Sequence, residues 1–153
     1  MWITPVDESE VSWSTPTAAL VVAAVGGVAL ALAAVAVPND RPGQLLVGLA
    51  AVGLLAVAGL GFAQRPKLAI LSGRRLRVKR IRGAVVYDHT EVRRARIVRY
   101  PRLGRRVPVL EIDVQSAADP EGRLLIFGRW DLGANPEDVF DAISVHGLAP
   151  SED

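Results

Sequence analysis

The 153-residue sequence contains no cysteine. That removes disulfide frameworks, thiolate nucleophiles and sulfur-ligated metals together. Histidine occurs only as His89 and His146, and neither sits at a metal-ligand spacing. No glycine-rich phosphate loop lies between a strand pattern and a helix pattern. Asp88-His89-Thr90-Glu91 has the look of an acid–base group, but Asp and Thr are also turn formers and here they precede a strand. Asp138 and Asp141 fall on a helix flank, where solvation is the simplest reading. These gaps lead us to expect a protein that is not an enzyme and has no cofactor and no metal. Aromatic residues make up 5% of the chain and do not interleave with the basic ones. A nucleic-acid stacking platform needs that interleaving, and a reading helix would not be acidic, so no nucleic-acid partner is expected.

Charge is absent from two long stretches. Ala18 to Val37 and Leu45 to Ala63 carry no charged side chain. At about 1.5 Å per residue, each is long enough as a helix for the ~30 Å hydrocarbon core of a bilayer. Pro38 to Gln44 holds two prolines and a glycine, which breaks the helix and turns the chain, so the pattern reads as a transmembrane hairpin. Ala34-Val35-Ala36 has the small-x-small form of a signal-peptide cleavage site, but the residues before the first span are acidic where a signal peptide is basic. Ala23, Gly27 and Ala31 recur every four residues. Packing of the two spans on each other explains them more simply than oligomerisation, although a homo-oligomer through the spans stays open.

The basic residues are unevenly placed. Arg41 alone lies between the spans, whereas Arg65, Lys67, Arg74, Arg75, Arg77, Lys79, Arg80 and Arg82 follow the second one. The positive-inside rule then places both termini in the cytoplasm, in a multi-pass protein of a bacterial inner membrane. Ten acidic residues lie between Val107 and Asp153, against Arg123 and Arg129. Asp7, Glu8 and Glu10 precede the first span with no Lys or Arg among them. The resulting division is an acidic cytoplasmic segment (1–16), two spans and their loop (17–64, the spans about 18–37 and 45–63), a cytoplasmic domain (65–149) and a tail (150–153).

Beyond Lys67 the hydrophobic pattern shortens. KLAILS, RLRVKRI, AVVYD, ARIVRY, VPVLEIDVQS and RLLIFGRW are rich in Val, Ile and Leu and are separated by turn formers. Val109, Glu111 and Asp113 alternate with Leu110, Ile112 and Val114, as in a half-buried antiparallel strand. GANPEDVFDAISVHG then reads as a helix: Asn135 at the N-cap, Pro136 in the first turn, Glu137 and Asp138 facing the dipole, and Val139, Phe140 and Ile143 as the apolar stripe. The fold class is α+β: a transmembrane α-hairpin followed by a small antiparallel β-barrel or sandwich, capped by one C-terminal helix.

RLRVKRIRGAVVYDHTEV, RYPRLGRRVPVLEID and GRWDLGANPEDVFDAI, in that order behind two spans, resemble the actinobacterial two-span membrane proteins that carry a bacterial pleckstrin-homology-like (PH-like) domain, of the low-molecular-weight protein antigen type. The resemblance covers about Lys67 to Gly147. It implies two sheets, strands one to four and five to seven, with the helix closing one corner. The pattern supplies six strands, so the seventh is sought in DHTEV or around Asp131.

In lipid-binding members of the wider PH fold, a basic residue of the first strand acts with two that open the second. By resemblance these are Lys67 with Arg75 and Arg77, beside Arg74 and Lys79. Clustered guanidinium groups suit phosphate or an acidic partner surface. Arg102, Arg105 and Arg106 form a second cluster between Pro101 and Pro108, and Trp130 is a candidate apolar anchor. Arg93, Arg94, Arg96 and Arg99 read as edge charges that discourage aggregation. The expected function is a non-catalytic scaffold or adaptor that positions a protein partner at the membrane. The alternatives are an anionic-lipid sensor and an accessory subunit of a larger membrane complex. The acidic segment VDESEVSW complements the basic face in charge.

Overall fold

The computed structural model describes residues 9–37 and 40–150, which fall into two compact units. The first is the helix pair α1 (Thr17–Ala36) and α2 (Arg41–Ala63). Helix α2 starts four residues before the apolar run it was expected to match. The Asp40 side chain accepts a hydrogen bond from the Gly43 amide at 3.2 Å, and Pro42 occupies a first-turn position that needs no donor. The pair packs through small residues: Gly27 is buried, and a Cβ there would lie 2.8 Å from Leu55 Cγ. Ala51, Ala58 and Gly61 are the buried positions of α2. The four-residue spacing around Gly27 therefore serves contact between these two helices. Leu20 is buried, but many of their other large side chains face outward, with Val22 71% and Leu45 75% exposed. The core helix of a soluble protein would bury them. Both helices are long and apolar enough to cross a membrane.

Among the described residues the second unit contains seven strands and two helices: β1 (Ser9–Trp13), β2 (Leu68–Leu71), β3 (Arg75–Arg80), β4 (Gly83–Asp88), β5 (Val92–Arg102), β6 (Arg105–Ser116), β7 (Asp119–Phe127), α3 (Arg129–Leu132) and α4 (Pro136–Val145). They form two antiparallel sheets, ordered β1-β2-β3-β4 and β5-β6-β7. The seventh strand is therefore not where the sequence pattern was searched. DHTEV is largely a turn, in which the Glu91 carboxylate accepts from the Asp88 amide at 2.8 Å, and Asp131 lies in α3. The extra strand is β1, which comes before both apolar helices. It pairs with β2 at Val11↔Ile70, Ser12↔Ala69 and Trp13↔Leu68. The N-terminal segment thus joins the domain by backbone pairing; the part of it before Ser9 lies outside the described residues.

One core unites the sheets and the helix. Leu68, Ile70, Leu76 and Val78 from the first sheet meet Leu110, Ile112, Val114, Leu125 and Phe127 from the second. Val139 and Ile143 of α4 enter the same cluster, fully buried, with Phe140 at its margin. Leu110, Ile112 and Val114 are the alternate positions the sequence pattern assigned to the inner face of that strand. Helix α4 begins at Asn135, whose side chain accepts from the Glu137 amide at 3.4 Å. It ends through Gly147, whose φ of 68° lets the chain turn back so that the Leu148 amide reaches the Ile143 carbonyl at 3.0 Å.

Candidate functional site

The basic residues singled out in the sequence do not form one cluster. Lys67 is largely buried, and its ammonium group sits 2.5 Å from Asp131 Oδ1. The other oxygen of Asp131 accepts from the Gly128 amide at 3.1 Å. One carboxylate thus ties the start of β2 to the short helix α3. Arg74 lies in a turn with φ of 59° and donates to the Gly147 carbonyl at 2.8 Å, so it closes the C-terminal end of α4. Arg75 reaches back to the Ser72 carbonyl at 3.1 Å. Arg77 and Lys79 follow on β3, and both are half-buried.

Arg102, Arg105 and Arg106 stand exposed at the β5–β6 hairpin tip. The turn residues are Leu103 and Gly104, at φ of 46° and 77°, and Leu103 is completely exposed. Leucine in the left-handed region costs on the order of 1–2 kcal/mol relative to ordinary backbone. It contacts no core there, so folding does not explain its presence.

From this tip a groove of about 660 Å³ runs along the outer face of the second sheet. Val107, Val109 and Ile126 line it, Tyr100 and Trp130 border it, and Arg102 and Arg129 lie at its rim. Trp130 is the candidate apolar anchor of the sequence, and the two residues that follow it are fixed. Asp131 is fixed by Lys67 and the Gly128 amide, and Leu132 is buried in the core. The indole that precedes them is left 53% exposed. The structure therefore brings Trp130 and Arg102 together at one concave surface and leaves Lys67, Arg74 and Arg75 in supporting contacts.

The wall of this groove rests on a polar network that the sequence reading missed. Glu111 lies on the outer face of β6 yet is only 3% exposed. The Tyr100 hydroxyl donates to its Oε1 at 2.5 Å and Arg96 Nε donates to its Oε2 at 2.8 Å. The Tyr100 bond first, and Arg96 after it, hold the Glu111 carboxyl below the usual carboxylate range against the opposing effect of burial. The same bond raises the Tyr100 hydroxyl, and Glu111 raises Arg96. The available signal was register: Arg96 and Tyr100 share one face of β5, and Arg96 pairs directly with Glu111 across the sheet. Arg99 likewise has a tertiary partner, Glu137 on α4 at 2.6 Å, and lowers that carboxyl. Arg96 and Arg99 are thus structural ion-pair partners as well as charges on the strand.

No protein-family profile matches the chain, and no solved structure does. Two curated proteins of Mycobacterium tuberculosis do match: uncharacterized protein Rv0010c of strain H37Rv and uncharacterized protein MT0013 of strain CDC 1551. Each is 36% identical over 140 residues, covering 92% of this chain and 95% of the relative. The alignment is too long to be confined to either unit, since it must span the helix pair and most of the strand-rich domain. The chain belongs to the family of these actinobacterial proteins.

Proposed function

We propose that this protein is a two-span membrane adaptor whose PH-like domain docks a protein partner at the cytoplasmic face of the bacterial inner membrane. The strand order, four then three with a helix after the last strand, supports the PH-like reading. Strand β1 precedes both spans and β2 follows them, so pairing between them requires the two flanks to share one side of any bilayer. The basic load after α2 selects the cytoplasmic side.

The observation that carries the docking reading is the groove beside Trp130. A half-exposed indole, Ile126 and Tyr100 form an apolar concavity with Arg102 and Arg129 at its edge. Aromatic and Arg residues around a pocket are the usual high-energy positions of protein interfaces. A planar lipid surface does not fill a concavity, whereas a bulky side chain does. The occupant this chemistry selects is an acidic segment of a partner protein that carries a large apolar residue. Docking would be non-catalytic.

A photo-crosslinking side chain at Ile126, in the full-length protein in native membranes, tests this. The same group at Val145, 83% exposed on α4, serves as the control. The expected result is one discrete protein adduct at 126 only, lost when Arg102 and Arg129 are changed to Glu. Lipid adducts alone would move the groove to the lipid-sensor reading, and an adduct with a second copy of this chain would make it a self-association surface. Equal labelling at 126 and 145 would remove the site altogether.

A further inference from the structure

The β3–β4 hairpin turns through Ile81 and Arg82, with Arg80 and Gly83 as the closing pair. Turns of this length favour Gly, Asn and Asp. Here a β-branched aliphatic occupies the tip, 75% exposed, between Arg80 and Arg82. No core contact accounts for it.

The register shows where this tip lies within its sheet. The Lys79 amide donates to the Lys67 carbonyl at 3.0 Å, and the Lys67 amide donates to the Trp13 carbonyl at 3.0 Å. The end of β1, the start of β2 and the β3–β4 tip therefore share one end of the sheet. Both connections to the apolar helices leave from that end. Trp13 is four residues from the start of α1, and Lys67 is four residues from the end of α2. Four residues reach at most about 14 Å. If the helices span a bilayer, the covalent connections alone hold this end of the sheet within that reach of its surface.

We infer that the β3–β4 tip is an interfacial membrane wedge: Ile81 enters the headgroup–acyl boundary while Arg80 and Arg82 bind the phosphates of anionic lipids. The hairpin tip places one exposed aliphatic side chain between exposed Arg82 and half-buried Arg80, whose guanidinium donates to the Tyr87 hydroxyl at 3.4 Å, and this suits that boundary, because the apolar part reaches inward and the charges stay at phosphate depth. The wedge would fix the domain's orientation relative to the bilayer. The inference rests on the helices crossing the bilayer and is independent of the groove.

The absence of native cysteine makes the test direct. Ile81→Cys and, separately, Val145→Cys are labelled with an environment-sensitive fluorophore in the full-length protein. Each is reconstituted into phosphatidylcholine vesicles with or without phosphatidylglycerol. Retention of the protein through an alkaline wash shows first that the spans are inserted, so failure of the spans is distinguished from failure of the wedge. A blue-shifted emission at 81, quenched by bromolipids and stronger with phosphatidylglycerol, is expected, with position 145 in water throughout. Arg80→Ala or Arg82→Ala should each lower the docked-to-undocked ratio about fivefold, from roughly 1 kcal/mol per basic residue near an anionic surface. A water-like, unquenched probe at 81 in washed anionic vesicles would overturn the inference. So would equal quenching in both lipids that is indifferent to the two Arg substitutions.

Discussion

At the scale of single residues, the most informative group is Glu111. A carboxylate on a strand's polar face is ordinarily solvated, and this one is covered by Tyr100 and Arg96. Its depressed titration makes a pH prediction with a definite sign. A carboxyl whose folded pKa lies below its unfolded value stabilises the fold above that unfolded value, and the contribution is lost as pH falls through the folded one. The raised Tyr100 hydroxyl contributes below its unfolded value, near 10, and that contribution is lost as pH rises through the folded one. Stability from this network should thus form a plateau between the acid and alkaline limbs. In Tyr100→Phe the alkaline limb disappears and the acid limb moves upward, because the largest influence lowering Glu111 is gone. Urea unfolding measured across pH, with the Glu111 carboxyl followed by NMR, checks both shifts. An unchanged acid limb in the variant would show that Arg96 alone sets the carboxyl.

At the scale of elements, the strand before the two apolar helices changes how the domain can be divided. All four residues of β2 are buried, and β1 covers one of its edges. A polypeptide of residues 66–150 alone leaves that edge unpaired, and open hydrophobic edges recruit other chains. We expect it to aggregate. Replacing residues 15–65 by a short Gly/Ser linker should instead give a soluble, cooperatively unfolding monomer, because Trp13 and Leu68 are already direct antiparallel partners. Light scattering and thermal unfolding of the two polypeptides decide the matter; equal solubility and equal midpoints would reduce β1 to an ornament. The contrast between β6 and β1 shows what periodicity conveys. Leu110, Ile112 and Val114 alternate cleanly, so their inward face was legible. SEVSW is too short and too polar to stand out, and it is separated in sequence from its partner by both apolar helices. Pairing across such a separation leaves no local pattern.

At the scale of the whole molecule, the β1–β2 ladder and the two apolar helices constrain topology together. Both flanks of the helix pair belong to one sheet, so if the helices cross a bilayer, the flanks lie on one side of it. Single cysteines at Ser12 and at Gln44 should then differ in their accessibility to a membrane-impermeant thiol reagent in inverted vesicles. Position 12 and exposed positions such as 145 should label together, and the loop side should label only from the opposite face. Labelling of position 12 and position 145 from opposite faces would break the ladder and the adaptor reading with it.

The amino-acid order by itself determined what depends on local pattern and composition. Two uncharged runs, an amphipathic helix with its cap at Asn135, alternation along β6 and the basic load after the second run are all visible without coordinates, because each arises from neighbours a few residues apart. Only the tertiary structure decided the rest. It turned Lys67 toward Asp131 and Arg74 toward Gly147, buried Glu111, found the seventh strand ahead of the helices, and left Trp130 and Arg102 at one groove. The physical reason is common to all of these. A charge or a strand edge is satisfied by whichever partner the fold brings within about 3 Å, and that partner is generally distant in sequence.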